Sequence, residues 1–270
     1  MKGAPEDDPE RLVAATDLAG ALRQVTRDYT AALPLYQDVL AIERRIRGDG
    51  HEETLASAHN LALLCHVMGN YDDALPLADE AYRGYCHVLG ESHEHTLAAM
   101  NLLAKVHGVM QNYGMALRLA REALAGRRAT LGPEHRETLE SMNTLAFLLV
   151  GQGDTAEAMP LYDELARVAR QTLGAEHPNT LTAISNLGVA LTEQGDCAQG
   201  LGLLREAMAG RSKVLGDRHP DTQLSIRHVE RCLRFDAQRM RPDGRAPQAR
   251  LALDGHLGLD QSSESPSEAR

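Results

Sequence analysis

A fixed step of 42 residues governs this chain. Thr54, Thr96, Thr138, Thr180 and Thr222 keep it, and so do His51, His93, His135, His177 and His219, each three residues before a threonine. Gly48, Gly90, Gly132, Gly174 and Gly216 keep it as well, and Leu89, Leu131, Leu173 and Leu215 precede the last four of these glycines. Three residue types locked to one period, five times over, mean that the chain is built from copies of one supersecondary unit. Such copies bury their apolar faces against each other. A chain of 270 residues can therefore form one elongated body with no single central core.

Each copy reads as two helices. In the fourth, a helical pattern runs from about Thr138 to Gly151, breaks at Gln152-Gly153-Asp154, and resumes from about Thr155 to Thr172. Leu173-Gly174 ends it, since glycine suits the left-handed conformation past a helix C-terminus. The next helix opens at His177-Pro178-Asn179-Thr180. Proline fits a first turn, where its missing N–H costs nothing. The histidine then falls at the N-cap, and Glu52, Glu94 and Asp221 place negative charge near the positive end of the helix dipole. Ala and Leu dominate while aromatic residues are only 3% of the chain, which favours helix over strand. The expected class is all-α.

A 42-residue period also suits HEAT and armadillo arrays, so the spacing inside the copies has to decide. Leu61-Ala62 is followed by Gly69, Tyr71 and Ala74; Leu103-Ala104 by Tyr113, Ala116 and Ala123; Leu187-Gly188 by Gly195, Gly200 and Ala207. This resembles the tetratricopeptide pattern, in which small residues let two helices cross closely. The proline that usually ends the second helix is absent, and that helix runs on for about two turns, which lengthens the period beyond the ~34 residues of the common repeat. The stretches Asn60-Leu61-Ala62-Leu63-Leu64-Cys65, Gly69-Asn70-Tyr71-Asp72-Asp73-Ala74 and Leu173-Gly174-Ala175-Glu176-His177-Pro178-Asn179-Thr180 resemble the kinesin light chain repeat family in detail.

The resemblance implies a right-handed superhelical solenoid of antiparallel helix pairs. The expected organisation is a disordered N-terminus over 1–10 and a solenoid over 11–236. Its repeats lie at about 12–53, 54–95, 96–137, 138–179 and 180–221, followed by a capping helix over 222–236 and a disordered tail over 237–270. The first helix of the first repeat, about Leu12 to Thr26, is degenerate. The tail is rich in Gly, Pro, Ser and charge, a composition that cannot bury a core.

In such arrays the resemblance implies that the first helix of each pair lines a concave groove. The inward positions fall two, five, nine, twelve and thirteen residues after each junction threonine. The candidate peptide-binding residues are His59, Asn60, His66, Asn101, Lys105, Asn143, Phe147, Ser185, Asn186 and Glu193. Amides offer donors and an acceptor together and can grip an extended backbone without reading its sequence. The competing reading is that the same asparagines bridge adjacent repeats, since buried amides need partners. A carboxylate clamp needs several Lys or Arg, and only Lys105 is present among these positions. The acidic, Trp-bearing peptides that kinesin light chains bind need a positive groove, and this one reads as nearly uncharged. No heptad segment precedes the array, which argues against a motor-bound subunit.

Other functions find little support. Successive junction histidines lie about a helix-packing distance, ~10 Å, apart and cannot share a metal whose Zn–N bonds are ~2 Å. His59, Cys65 and His66 do not converge, because Cys65 points to the second helix, and His93 with His95 is only a pair. Phosphate-loop, dinucleotide, nucleophile-elbow and zinc-protease motifs are absent, so neither enzyme activity nor a cofactor is expected. The formal net charge of −10 argues against nucleic acid and anionic membranes. The polar, acidic N-terminus lacks a signal peptide's apolar core, no apolar run approaches the ~20 residues of a membrane span, and four scattered cysteines suit a reducing compartment. The composite expectation is a cytoplasmic, non-catalytic scaffold that binds a protein or extended peptide. The alternatives are a regulatory or sensory module of a signalling assembly, or a cargo adaptor of the kinesin light chain kind. Oligomeric state is not legible.

Overall fold

The structure, a computed structural model, describes residues 9–239. Eleven helices follow one another among them, with no strand. They are α1 (Pro9–Ala21), α2 (Tyr29–Arg47), α3 (Glu52–Met68), α4 (Tyr71–Leu89), α5 (Glu94–Val109), α6 (Tyr113–Leu131), α7 (Arg136–Gln152), α8 (Thr155–Leu173), α9 (Pro178–Gln194), α10 (Cys197–Leu215) and α11 (Pro220–Arg239), with a π-helical turn at Leu22–Thr26 after α1. The protein is all-α, built of consecutive packed helix pairs. The chain divides into two compact bodies, one ending at Thr130 and one starting at Leu131. In the first, α1 to α5 pack in succession and α6 packs on α5. In the second, α7 to α11 do the same.

The sequence dictates how closely each pair crosses. In α4 a Cβ added to Gly84 would come within 2.3 Å of Leu55 in α3; Gly126 in α6 stands to Leu97 in α5 at 2.5 Å, and Gly210 in α10 to Leu181 in α9 at 2.5 Å. Leu55, Leu97 and Leu181, each directly after a junction threonine, thus nest where the second helix has no side chain; in α8 Val168 holds that register. In α9 and α10 the crossing tightens further: a Cβ on Gly200 would lie 2.7 Å from the carbonyl oxygen of Gly188. Alanines at Ala62, Ala104 and Ala146 hold the position of Gly188 in the other pairs and are fully buried.

The histidine N-caps read from the sequence are present. Helices α3, α5, α7, α9 and α11 each begin directly after a junction histidine, two residues before the threonine. The threonines themselves are fully buried. Thr96 and Thr138 donate from Oγ1 to the carbonyls of Gly90 and Gly132 at 2.7 Å, tying the start of the helix to the turn before it. Thr180 donates instead to Ala169 O at 3.1 Å.

Two ends differ from the expected boundaries. The degenerate first helix starts at Pro9 and passes into a π-helical turn before the chain reverses at Arg27 (φ 54°). At the other end α11 continues to Arg239, because Ala237 occupies the register of Gly69, Gly153 and Gly195, and no left-handed residue stops the helix there. Residues 9–10 and 237–239, read as disordered flanks, are therefore helical. The disorder expected of the remaining N-terminus and tail falls outside the described residues.

Candidate interaction face

The candidate binding residues all lie on first helices. In the first body α3 carries His59, Asn60 and His66, and α5 carries Asn101 and Lys105. In the second, α7 carries Asn143 and Phe147, and α9 carries Ser185, Asn186 and Glu193. The structure divides them by accessibility. His66, Asn101, Lys105, Asn143 and Ser185 are buried, with Asn101, Asn143 and Ser185 each only 2% exposed. His59, Asn60, Phe147, Asn186 and Glu193 are half-buried.

A polar ladder explains part of this burial in the second body. Asn186 Nδ2 donates to Asn143 Oδ1 at 2.8 Å, joining α9 to α7. One step on, Ser185 Oγ lies 3.3 Å from His228 Nδ1, joining α9 to α11. The same register pair, five residues after one threonine and six after the next, makes the contact both times. Buried amides and hydroxyls are costly unless partnered, and here neighbouring repeats partner them. Asn143 is thus engaged in bridging. Asn186 retains half-exposed amide surface.

Arg211 of α10 forms a second buried network that sequence reasoning missed. It donates to Ser225 Oγ at 2.7 Å, to Thr182 Oγ1 at 2.8 Å and to the Asp221 carbonyl at 3.4 Å. Burial pulls its guanidinium below the ordinary arginine range, with the nearby Asp221 charge opposing. The sequence signal is an arginine at the inward register of a second helix, also filled by buried Arg127. In α11 the exposed Arg227 and half-buried Arg231 stand at the register of Asn101 and Lys105. The sequence reading gave this helix a capping role alone. These two arginines make the second body's inward face more basic at α11 than its earlier helices suggest.

Electrostatic shifts at these positions follow burial. His107, in the last turn of α5, is held below the usual imidazole range by desolvation, against the pull of Asp79. Tyr162 of α8 is fully buried, and desolvation with the Glu193 charge pushes its phenol well up. Tyr85 is pushed to about 12 by burial and by Glu52 and Glu53. Neither tyrosine is poised for proton transfer near neutrality. Among the described residues no group of three or more His, Cys, Asp or Glu is arranged to hold a metal. No described helix is long and apolar enough to cross a membrane.

Comparison with known proteins agrees with this geometry. No curated protein matches the chain. In fold it is similar to the nearly identical TPR-like repeats of a kinesin light chain candidate from Podosopora anserina, at 26% identity. One crystal structure of those repeats has a TM-score of 0.65 and covers 77% of this chain and 97% of that one; another has 0.63, with 76% and 97%. BtubC (BKLC) from P. vanneervenii shares the fold at 21% identity and a TM-score of 0.64, covering 79% of this chain and 85% of that one. The tetratricopeptide repeat model matches residues 10–87, 56–129, 95–167 and 141–211, most of the chain, which belongs to the tetratricopeptide repeat family.

Proposed function

We propose that this protein is a non-catalytic scaffold whose first helices hold an extended peptide or protein segment. Tetratricopeptide repeat proteins are protein-interaction scaffolds, and the chain is made of such repeats. The observation that carries the reading is the row of half-buried polar and aromatic side chains on first helices: His59 and Asn60 in the first body, Phe147, Asn186 and Glu193 in the second. These offer donors, acceptors and an apolar ring without a catalytic pair among them. The buried members, Asn101, Lys105, Asn143 and Ser185, support that row from beneath. A protein or peptide partner, in place of nucleic acid, suits the net charge of −10, and a cytoplasmic location suits four cysteines that form no disulfide.

Peptide-library display against the full chain, followed by titration of the selected peptides, tests this. Phe147→Ala combined with Asn186→Ala should weaken binding by about tenfold or more, the loss of ~1.4 kcal/mol, with helicity unchanged. Asp163→Ala and Arg205→Ala, on the exposed faces of α8 and α10, should leave it unaltered. If the second pair weakens binding and the first does not, the partner sits on second helices and the groove reading fails. A cargo-adaptor role is the second reading, favoured by the likeness to the Podosopora anserina repeats. Direct binding to a kinesin heavy chain would distinguish it.

A further inference from the structure

Every junction between repeats is capped by an imidazole in the same way. Nδ1 of His51 accepts the N–H of Glu53 at 3.2 Å, His93 that of His95 at 3.2 Å and His135 that of Glu137 at 3.3 Å. His177 accepts the N–H of Asn179 at 3.1 Å, and His219 that of Asp221 at 3.2 Å. The turns inside repeats use a different chemistry. Asp28 and Asp196 cap α2 and α10 with carboxylate oxygens, while Asn70 and Asp154 stand at the same position before α4 and α8 without a side-chain cap bond.

The difference is one of proton sensitivity. An imidazole accepts at Nδ1 only when its proton is on Nε2. A second proton removes the acceptor and sets a cation against the positive end of a helix dipole. Histidine is the side chain that ordinarily changes charge between pH 5 and 8, whereas the carboxylate caps of Asp28 and Asp196 do not. We infer that the junction histidines form a proton-sensitive cap set: acidification releases the helix starts between repeats while the hairpins within repeats hold.

The surroundings of the five sites grade the effect. His51 is flanked by Glu52 and Glu53, and Glu52 also lies 3.6 Å from His95 of α5. His93 is followed by Glu94, and its ring packs on His95 at 5.1 Å, which in turn packs on Tyr85 of α4 at 5.5 Å. His135 has Glu137 in its helix's first turn beside Arg136. His219 has the Asp221 carboxylate at 3.8 Å, near Arg211 of α10. An imidazolium at any of these finds an acid that offsets part of the lost cap. At His177 the first turn of α9 holds no acid, the facing charge from α7 is Arg136, and the adjacent Glu176 is already paired with Lys213 of α10. Desolvation first, then Arg136, holds His177 below the ordinary imidazole range. The sign follows directly: a folded state that favours the neutral ring is most stable above the ordinary histidine range and loses that stability as pH falls. His177 should therefore carry the largest single share.

The test uses the full chain. Thermal unfolding is followed from pH 7.5 to 5.5 for the wild type and for a variant with His51, His93, His135, His177 and His219 all replaced by Asn, a non-titrating cap. The wild-type midpoint should fall by about 5 °C or more, and the variant's by less than half as much. Buried His66 and His228 remain in both and cancel. Should the five-fold variant not fold, His177→Asn alone is compared with His51→Asn, and the former should remove more of the pH dependence. Amide exchange in the wild type gives an independent reading. The amides of Glu53, His95, Glu137, Asn179 and Asp221 should lose protection at pH 5.5 before those in the middle of the same helices. Equal pH profiles for wild type and variant, or capped amides that stay protected at pH 5.5, would overturn the inference.

Discussion

The chain reverses direction by two kinds of turn, and each tolerates different residues. Turns inside repeats place a left-handed residue at one register: Arg27, Gly69, Gln111, Gly153 and Gly195. At Gly153 the backbone is at φ 107°, ψ 4°, and the turn closes when the N–H of Asp154 donates to the Leu149 carbonyl at 2.8 Å. Turns between repeats place glycine at every copy, and Gly174 is at φ 90°, ψ 160°. The first conformation is one an ordinary residue can enter at modest cost. The second is essentially open to glycine alone. That is why Gln111 and Arg27 could replace glycine in hairpins, while no junction in this sequence has changed.

The largest effect should come from breaking that distinction at one repeat. Gly174→Ala should destabilise the protein by about 2–3 kcal/mol, the cost of holding a side chain in a glycine-only region. Gly153→Ala, twenty-one residues earlier, should cost about 1 kcal/mol, near the ordinary left-handed penalty. A Cβ at Gly174 meets nothing within 4 Å, so crowding does not confound its loss. Denaturant unfolding of the two variants measures both. Equal losses would mean that the two turns are alike in strain, and the invariance of junction glycine would need another cause.

Much of this was legible in the sequence because it is periodic. Glycine, histidine and threonine at fixed offsets located all five junctions, and the proline at 178 with histidine at 177 located the cap. The small residues at Ala62, Ala104 and Gly188 located helix crossings. The site was less legible. Asn101 and Asn143 were read as groove residues from their register, yet both are 2% exposed, and Asn143 is held by Asn186. A register position gives the direction of a side chain; how deeply the neighbouring repeat covers it depends on that repeat's own side chains. The bridging role of Ser185 with His228 and of Arg211 with Thr182 and Ser225 lies in pairs some 14 to 43 residues apart. The pairs Ser185–His228 and Arg211–Ser225 each reach beyond one repeat, so no single copy displays them.

The junction threonines sharpen the comparison at a smaller scale. Thr138 Oγ1 donates to the Gly132 carbonyl, whereas Thr54 Oγ1, equally buried, has no hydrogen-bond partner among the described residues. Thr138→Val should therefore cost about 1–1.5 kcal/mol, the loss of a part-buried hydrogen bond. Thr54→Val should be neutral or slightly stabilising, because it removes a buried hydroxyl that gains nothing from burial. Paired melting curves decide it. If both substitutions destabilise equally, the threonines act by shape alone and the bond to Gly132 does not fasten the junction.

The smallest effect belongs to the hairpins. Gln111 holds φ 62° between α5 and α6, and the N–H of Asn112 still donates to the His107 carbonyl at 2.9 Å, as in the glycine-bearing turns. The turn therefore forms fully despite the side chain, and the strain resides in the φ angle alone. Gln111→Gly should relieve it and raise stability by about 0.5–1 kcal/mol, less the entropy that an added glycine gives the unfolded chain. Asn112 Nδ2, 3.4 Å from His107 Nδ1, is untouched by the change. The gain should appear as a higher denaturant midpoint at unchanged slope, since neither folded nor unfolded surface alters. A loss at this position would mean that the glutamine side chain contributes contacts worth more than the angle costs. Hairpin and junction turns would then differ in what surrounds them and not in backbone geometry.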